Sequence, residues 1–134
     1  MKTLEDIKTR IREISFPEID LIVGIARGGI IPAAMLAGFL KKDLDFIWFQ
    51  YRNDLHQVVF DSPLCVKLPE KPLSGKKILL VEDRVKTGST LLKAKEALEK
   101  KGGIIISLAV NGKADISLFD ENCFPFPWIM NERI

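Results

Sequence analysis

The segment at residues 78–90 constrains the possible fold of this chain more than any other feature of the sequence. Four apolar residues at 78–81 lead into two adjacent acidic residues. A short turn rich in hydroxyl side chains then begins a stretch whose apolar residues have helical spacing. A buried strand that enters a helix through a short turn is the repeating unit of α/β folds with parallel sheets. Ligands bind such sheets at the carboxyl ends of the strands, so this turn is also a candidate binding site.

The remainder of the chain continues the alternation of strands and helices. Spacings of three and four between apolar residues predict helices at 3–14 and 89–101. The apolar stretch at 30–40, with Pro32 near its first turn, also indicates a helix. Short β-rich runs predict strands at 19–25, 44–51, 77–82 and 104–110, with a further short strand at 58–60. Prolines predict a loop at 64–75, and an irregular tail rich in Phe, Pro and Trp follows residue 110. We therefore predict one α/β domain over residues 1–134, with a mostly parallel central sheet flanked by helices.

Composition excludes several classes of function. The chain has 134 residues, of which 47% are hydrophobic, which is enough for one packed core. A net charge of +2 gives no reason to expect nucleic acid as a partner, and the apolar runs are too short to span a membrane. Two isolated cysteines, Cys65 and Cys123, and one histidine, His56, are too few for a zinc site. We expect a cytoplasmic protein with reduced cysteines.

The turn after residue 81 combines groups that bind a phosphate with groups that repel it. Hydroxyls, a close-approach glycine and the free N–H groups of a helix N-terminus all favour phosphate. These groups belong to Thr87, Gly88, Ser89 and Thr90. The carboxylates of Glu82 and Asp83 instead suit sugar hydroxyls or a metal ion, and a ribose 5-phosphate offers both a phosphate and a vicinal diol. A capped helix after an ordinary strand would explain the hydroxyls but not the acidic pair.

A second turn, at residues 26–29, also suits an anion. It contains Ala26, Arg27, Gly28 and Gly29. Its spacing matches neither a Walker loop nor a Rossmann fingerprint. A guanidinium within a glycine turn can nevertheless bind a polyanion, because backbone amides form a nest and arginine adds a bidentate donor. The alternative is an ordinary strand-to-helix turn, and this motif alone does not decide between the two.

Together these motifs resemble those of type I phosphoribosyltransferases, which use 5-phosphoribosyl-1-pyrophosphate (PRPP). The turn at 26–29 is similar to the pyrophosphate loop of the xanthine-guanine enzymes, and the segment at 78–90 is similar to the PRPP motif. The resemblance implies that Glu82 and Asp83 hold the ribose hydroxyls, with Mg²⁺ nearby, and that residues 87–90 hold the 5′-phosphate. It implies a catalytic role for Glu82, Asp83 and Arg27, a cis or strained peptide near Ala26–Arg27, and a homodimer.

The resemblance also assigns the acceptor side of the site. Family members close the base pocket with a C-terminal hood. In the purine enzymes a lysine after the fourth strand recognises the base, and an aromatic residue stacks on the base. Lys113 lies at about the position of that lysine, and Phe124 or Trp128 would supply the ring. Spacing does not say which ring stacks, and core or dimer contacts are the alternative for each of them.

Residues 49–61 occupy the place of the family's mobile catalytic loop. Tyr51, Arg52 and His56 are candidates to close over the pyrophosphate and exclude water from the reaction. A solvated hairpin is an equal alternative for this segment.

One residue departs from the family pattern. The 6-oxopurine enzymes have an aspartate before the Thr-Gly pair, whereas this chain has Lys86. An ammonium cannot manage a base proton as a carboxylate does. The acceptor could therefore be a base with an acidic substituent, another residue could handle the proton, or the chain could bind PRPP without transferring it. We expect transfer to a nucleobase, with a purine as the first choice. A PRPP-binding regulator and a structural partner with a vestigial site are the alternatives.

Overall fold

The computed structural model describes residues 2–50 and 64–130. Within these residues, the helices are α1 (Leu4–Glu13), α2 (Ile30–Leu40) and α3 (Ser89–Lys100). The strands are β1 (Leu21–Ala26), β2 (Asp43–Gln50), β3 (Leu64–Lys67), β4 (Lys77–Arg84), β5 (Ile104–Asn111) and β6 (Ile116–Phe119). All three predicted helices are confirmed, and so is the α/β class. No helix among the described residues is long and apolar enough to cross a membrane.

The strands form one sheet in the order β3-β2-β1-β4-β5-β6. Every neighbouring pair is parallel except β2 and β3, which are antiparallel. Strand β1 is apolar and buried over residues 21–25, and β4 is apolar and buried over residues 78–81, as expected for strands covered on both faces. Because β1 and β4 are parallel neighbours, the turns that follow them leave the sheet at the same edge.

The core lies on both faces of the sheet. On one face, buried residues of α1 and α2, including Ile7, Ile11 and Leu36, pack with the aromatic residues of the tail. On the other face, Leu91 and Leu98 of α3 pack against β1 and β4. Helix α1 begins with a capping box between Thr3 and Asp6, which satisfies free amides of its first turn. This packing fixes the central strands and therefore the turns that follow them.

Two predictions about the connecting segments were wrong. The predicted loop at 64–75 contains β3, which pairs with β2 before the first proline, Pro69. The prolines marked the end of this strand rather than a continuous loop, and pairing with β3 satisfies the outer backbone groups of β2. The tail contains β6, whose four residues pair with β5 and are too few to produce a pattern in the sequence. The predicted strand at 58–60 lies outside the described residues.

From β6 onward, the tail lies near the N-terminal segment. The Arg10 Nε donates to the Leu118 carbonyl at 2.7 Å, which joins α1 to β6. The Lys2 ammonium forms an ion pair with Glu121 at 3.1 Å and lies 4.5 Å from the centre of the Phe119 ring. The N-terminal segment thus supports the predicted small C-terminal hood.

Candidate functional site

The turns after β1 and β4 meet at Gly28 and Asp83. A Cβ atom at Gly28 would collide with the carboxylate of Asp83, so only glycine allows this approach. A Cβ at Gly29 would likewise collide with backbone oxygens of Val81 and Ile25. The Ala26–Arg27 peptide bond is cis, as the resemblance implied. The structure therefore brings the two predicted anion-binding motifs into direct contact.

The two carboxylates of the acidic pair have different surroundings. Asp83 lies against Gly28 and accepts a hydrogen bond from the backbone N–H of Arg84 at 2.6 Å. Glu82 lines a pocket of about 260 Å³ that residues 87–90 also line; these residues, predicted to hold the 5′-phosphate, are called the phosphate turn below. Burial raises the pKa of Glu82 to about 8, with a smaller contribution from the negative charge of Asp83. Glu82 therefore carries a proton at neutral pH until a cation or a ligand stabilises its charge.

The phosphate turn is shaped for an anion at the start of α3. Gly88 is the N-cap residue and has a φ of 84°, a left-handed conformation that favours glycine. The Thr87 Oγ1 accepts a hydrogen bond from the Ser89 N–H at 3.3 Å, and the N-cap glycine has no side chain to take the next N–H groups of the helix, so these can bind a ligand. The pocket is lined by Glu82, Arg84, Val85, Lys86, Thr87, Gly88, Ser89 and Thr90. All four residues predicted to hold the 5′-phosphate thus face one cavity.

Arg27 is exposed in the turn at 26–29, which is predicted to bind pyrophosphate and is called the pyrophosphate turn below. Its guanidinium carbon lies 5.5 Å from the centre of the Trp48 ring, which is a cation–π distance. Trp48 is the register partner of Ala26 on the neighbouring strand. Sequence reasoning missed Trp48, because only the pairing of β1 with β2 brings it to the turn.

The predicted base-binding residues lie in two places. Lys86 is exposed and lines the pocket beside Glu82, so the residue that departs from the family pattern does belong to the site. Lys113 is exposed in the turn after β5. Among the described residues, those that line the pocket do not include Lys113, Phe124 or Trp128.

The aromatic residues of the tail form a cluster. Phe124 is only 6% exposed, and its ring contacts Phe119 and Phe126 edge-on at 5.8 and 5.3 Å. The half-buried Trp128 stacks on Phe126, with 5.1 Å between ring centroids and an interplanar angle of 8°. This burial favours a core role for Phe124. Stacking of Phe124 or Trp128 on a base stays a prediction.

Sequence reasoning also missed two residues that hold the tail. The Arg84 Nη2 donates to the Phe124 carbonyl at 2.8 Å. The Asn111 side chain, which is buried, donates to the Glu121 carbonyl at 3.1 Å and accepts from the Glu121 N–H at 3.0 Å. The only signal in the sequence was an arginine directly after the acidic pair, at the end of an apolar strand.

The donor atoms of the acidic pair suit Mg²⁺, which prefers hard oxygen ligands. The described part of the chain has no group of three or more His, Cys, Asp or Glu residues that could hold a metal ion. Such a site fits Mg²⁺ if most of its ligands are water and substrate oxygens. The predicted closing residues Tyr51, Arg52 and His56 lie outside the described residues, so their roles stay predictions.

Sequence comparison relates the chain to one family. A family model for the phosphoribosyl transferase domain matches residues 2–123. An orotate phosphoribosyltransferase from Sulfurisphaera tokodaii is 32% identical over 109 residues, which are 79% of this chain and 50% of the relative. The chain therefore spans about half the length of the curated relatives it matches.

Structural comparison gives the same family with other substrates. A purine phosphoribosyltransferase from Pyrococcus horikoshii Ot3 has a TM-score of 0.78 and 25% identity, and the match covers 98% of this chain and 94% of that one. A xanthine-guanine-hypoxanthine phosphoribosyltransferase from Helicobacter pylori has a TM-score of 0.74 at 20% identity, covering 93% of this chain and 87% of that one. The second likeness supports the fold alone.

Proposed function

This chain belongs to the phosphoribosyl transferase domain family, and we propose that it transfers the ribose 5-phosphate of PRPP to a nucleobase and releases pyrophosphate. The observation that carries this proposal is the contact between Gly28 and the Asp83 carboxylate. This contact brings the turn at 26–29 next to the acidic pair at one edge of the sheet. The turn at 87–90 follows the same acidic pair in the chain. PRPP has the matching order of groups, with a phosphate and a pyrophosphate on either side of a diol.

The proposed mechanism depends on positioning and charge stabilisation. The amides and hydroxyls at 87–90 bind the 5′-phosphate, and Glu82 and Asp83 accept hydrogen bonds from the ribose hydroxyls. A base nitrogen attacks C1 as the bond from C1 to the pyrophosphate oxygen breaks, and the proton of that nitrogen leaves to solvent or to the departing pyrophosphate. Arg27 and the amides of 26–29 stabilise the negative charge that develops on the leaving pyrophosphate. No protein nucleophile is required.

We propose Mg²⁺ as the cofactor, near Glu82 and Asp83. When bound, the ion would neutralise part of the pyrophosphate charge. The carboxylate oxygens of the acidic pair support this assignment, because Mg²⁺ prefers hard oxygen ligands. A bound cation would lower the raised pKa of Glu82.

We propose a purine as the first choice of acceptor. The purine enzyme from Pyrococcus horikoshii supports this choice, because it matches nearly the whole of both chains. Lys86 favours a second candidate, a base with an acidic substituent, since its ammonium lines the pocket and could pair with a carboxylate. The curated relatives named for orotate fit this second candidate.

The experiment that tests transfer measures pyrophosphate release from PRPP and Mg²⁺ with guanine, xanthine, hypoxanthine, adenine, uracil or orotate. We expect release that requires one base and is lost in Asp83→Asn. Asp43→Asn serves as the matched control, because Asp43 is exposed at the opposite edge of the sheet. Binding of PRPP without release for any base would favour a PRPP-binding regulator of the same fold, and failure to bind PRPP would reject both functions.

We also propose a cytoplasmic homodimer that requires no nucleic acid. The free thiols of Cys65 and Cys123 are typical of a reducing compartment. Helix α2 contains no charged residue, yet Ile31 and Phe39 on it are 42% and 50% exposed. Helices that are apolar all round are normally buried, and a second copy of the chain would bury this one.

A further inference from the structure

The tail is attached to the sheet at two adjacent points. Arg84 ends β4, Asn111 ends β5, and the two residues are register partners. Asn111 holds the start of the tail through both hydrogen bonds to the backbone of Glu121. Arg84 holds the following segment through the carbonyl of Phe124.

Arg84 makes a second, different contact with the tail. Its guanidinium carbon lies 4.7 Å from the centre of the Phe126 ring, and Phe126 stacks on Trp128. A hydrogen bond in one direction and a ring contact in another fix the planar guanidinium, since arginine can use both at once. Arg84 therefore helps to hold residues 124–128, whose Phe124 and Phe126 are also buried in the core.

The same side chain lines the pocket beside the phosphate turn, together with Glu82 and Lys86. We propose that Arg84 is a positioning residue that links this pocket to residues 124–128, the segment proposed to contact the base. Any effect of Arg84 on catalysis rests on the proposed function. The first test therefore measures hydrogen exchange in the tail, which does not require turnover.

The first test is hydrogen exchange, measured by NMR in Arg84→Met and in the wild type. The Ile129 N–H is bonded to the Phe126 carbonyl at 3.1 Å and reports on the segment that Arg84 holds. The Glu121 N–H is bonded to Asn111 and reports on the other attachment. We expect exchange at Ile129 to be about tenfold faster in the variant, as loss of a charged hydrogen bond implies. Exchange at Glu121 should not change.

Two further variants make this test specific. Lys86→Met removes a cation from the same pocket and should leave exchange at Ile129 unchanged. Arg84→Lys keeps the charge but lacks the planar fork, and should accelerate exchange at Ile129 less than Arg84→Met does. If Arg84→Met destabilises the whole fold, exchange at Ile129 in Arg84→Lys, compared with the wild type, decides whether Arg84 holds the tail. Unchanged exchange at Ile129, or equal acceleration by Lys86→Met, would overturn the proposal.

The second test separates the acceptor from PRPP. In the pyrophosphate-release assay, Arg84→Met should raise the KM for the base about tenfold and leave the KM for PRPP unchanged. A higher KM for PRPP with an unchanged KM for the base would overturn the positioning role. If the wild type shows no turnover with any base, the proposed transfer fails, whereas the exchange measurement still decides the role of Arg84.

Discussion

Two glycines of the site are required for different physical reasons. Gly28 has no room for a side chain, because the Asp83 carboxylate lies against it. Gly88 has open space, with nothing within 4 Å of a Cβ atom, but its φ of 84° is unfavourable for other residues. A substitution at Gly28 should therefore disturb binding, whereas one at Gly88 should cost backbone energy.

Gly28→Ala tests the contact between the two turns. The added methyl group would displace Asp83 or the pyrophosphate turn, so we expect affinity for pyrophosphate with Mg²⁺ to fall at least about tenfold. Isothermal titration calorimetry measures this affinity. Gly38→Ala is the matched control, since a Cβ at this helical position meets nothing within 4 Å. Equal affinity in Gly28→Ala and Gly38→Ala would contradict the account.

Gly88→Ala tests the conformation of the phosphate turn. A left-handed conformation costs an L-residue roughly 1–2 kcal/mol, and the free energy of unfolding should fall by about that amount. Urea denaturation measures the change. An unchanged free energy of unfolding would show that residue 88 does not need the left-handed conformation.

The raised pKa of Glu82 makes stability depend on pH. Between the ordinary value of 4.5 and about 8, the folded state holds a proton that the unfolded state has lost. Stability without ligand should therefore fall as pH rises through this range and level off above it. In Glu82→Gln this decline should disappear, which thermal unfolding across the range would detect. The exposed Glu99→Gln is the control, and a parallel decline in Glu82→Gln and the wild type would contradict the assignment.

The sequence identified those site residues that belong to a local pattern. The acidic pair and residues 87–90 form a continuous motif, so their common location followed from the strand and turn alone. Trp48 and Arg84 were missed because strand pairing and the path of the tail bring their partners to them. Such contacts between distant parts of the chain leave no spacing in the sequence.

At the scale of elements, the sequence predicted the helices better than the short strands. Helix α2 coincides with its predicted range of 30–40, and α3 ends one residue before the prediction. Helix α3 has clear periodicity and is followed by Gly102 and Gly103, whereas α2 is an apolar stretch with Pro32 in its first turn. The four-residue strands β3 and β6 are too short for periodicity and exist because longer strands beside them offer backbone groups to pair.

The exposed face of α2 provides a prediction about assembly. Phe39→Glu places a charge on the apolar surface that we propose to be covered by a second copy, and should convert a dimer into a monomer. Light scattering after size-exclusion chromatography measures the mass. Leu92→Glu is a control, because Leu92 is 56% exposed on α3, at the opposite face of the sheet. A wild-type chain that is already monomeric would contradict the proposed dimer.

At the scale of the whole molecule, the site results from the order of the strands. The sheet places β1 beside β4 although residues 27–76 separate them in the chain, and this pairing brings the two turns together. The sequence could predict a shared edge from the parallel arrangement, because carboxyl ends of parallel strands lie at one edge. It could not predict that Gly28 would touch Asp83, because that contact depends on strand order and register.

Titration with PRPP in the presence of Mg²⁺ tests the central claim most directly. We predict saturable binding of one PRPP per chain, which both ribose 5-phosphate and pyrophosphate weaken by competition, since each would occupy one of the two turns. Absence of PRPP binding would contradict the account, and so would competition by only one of these compounds.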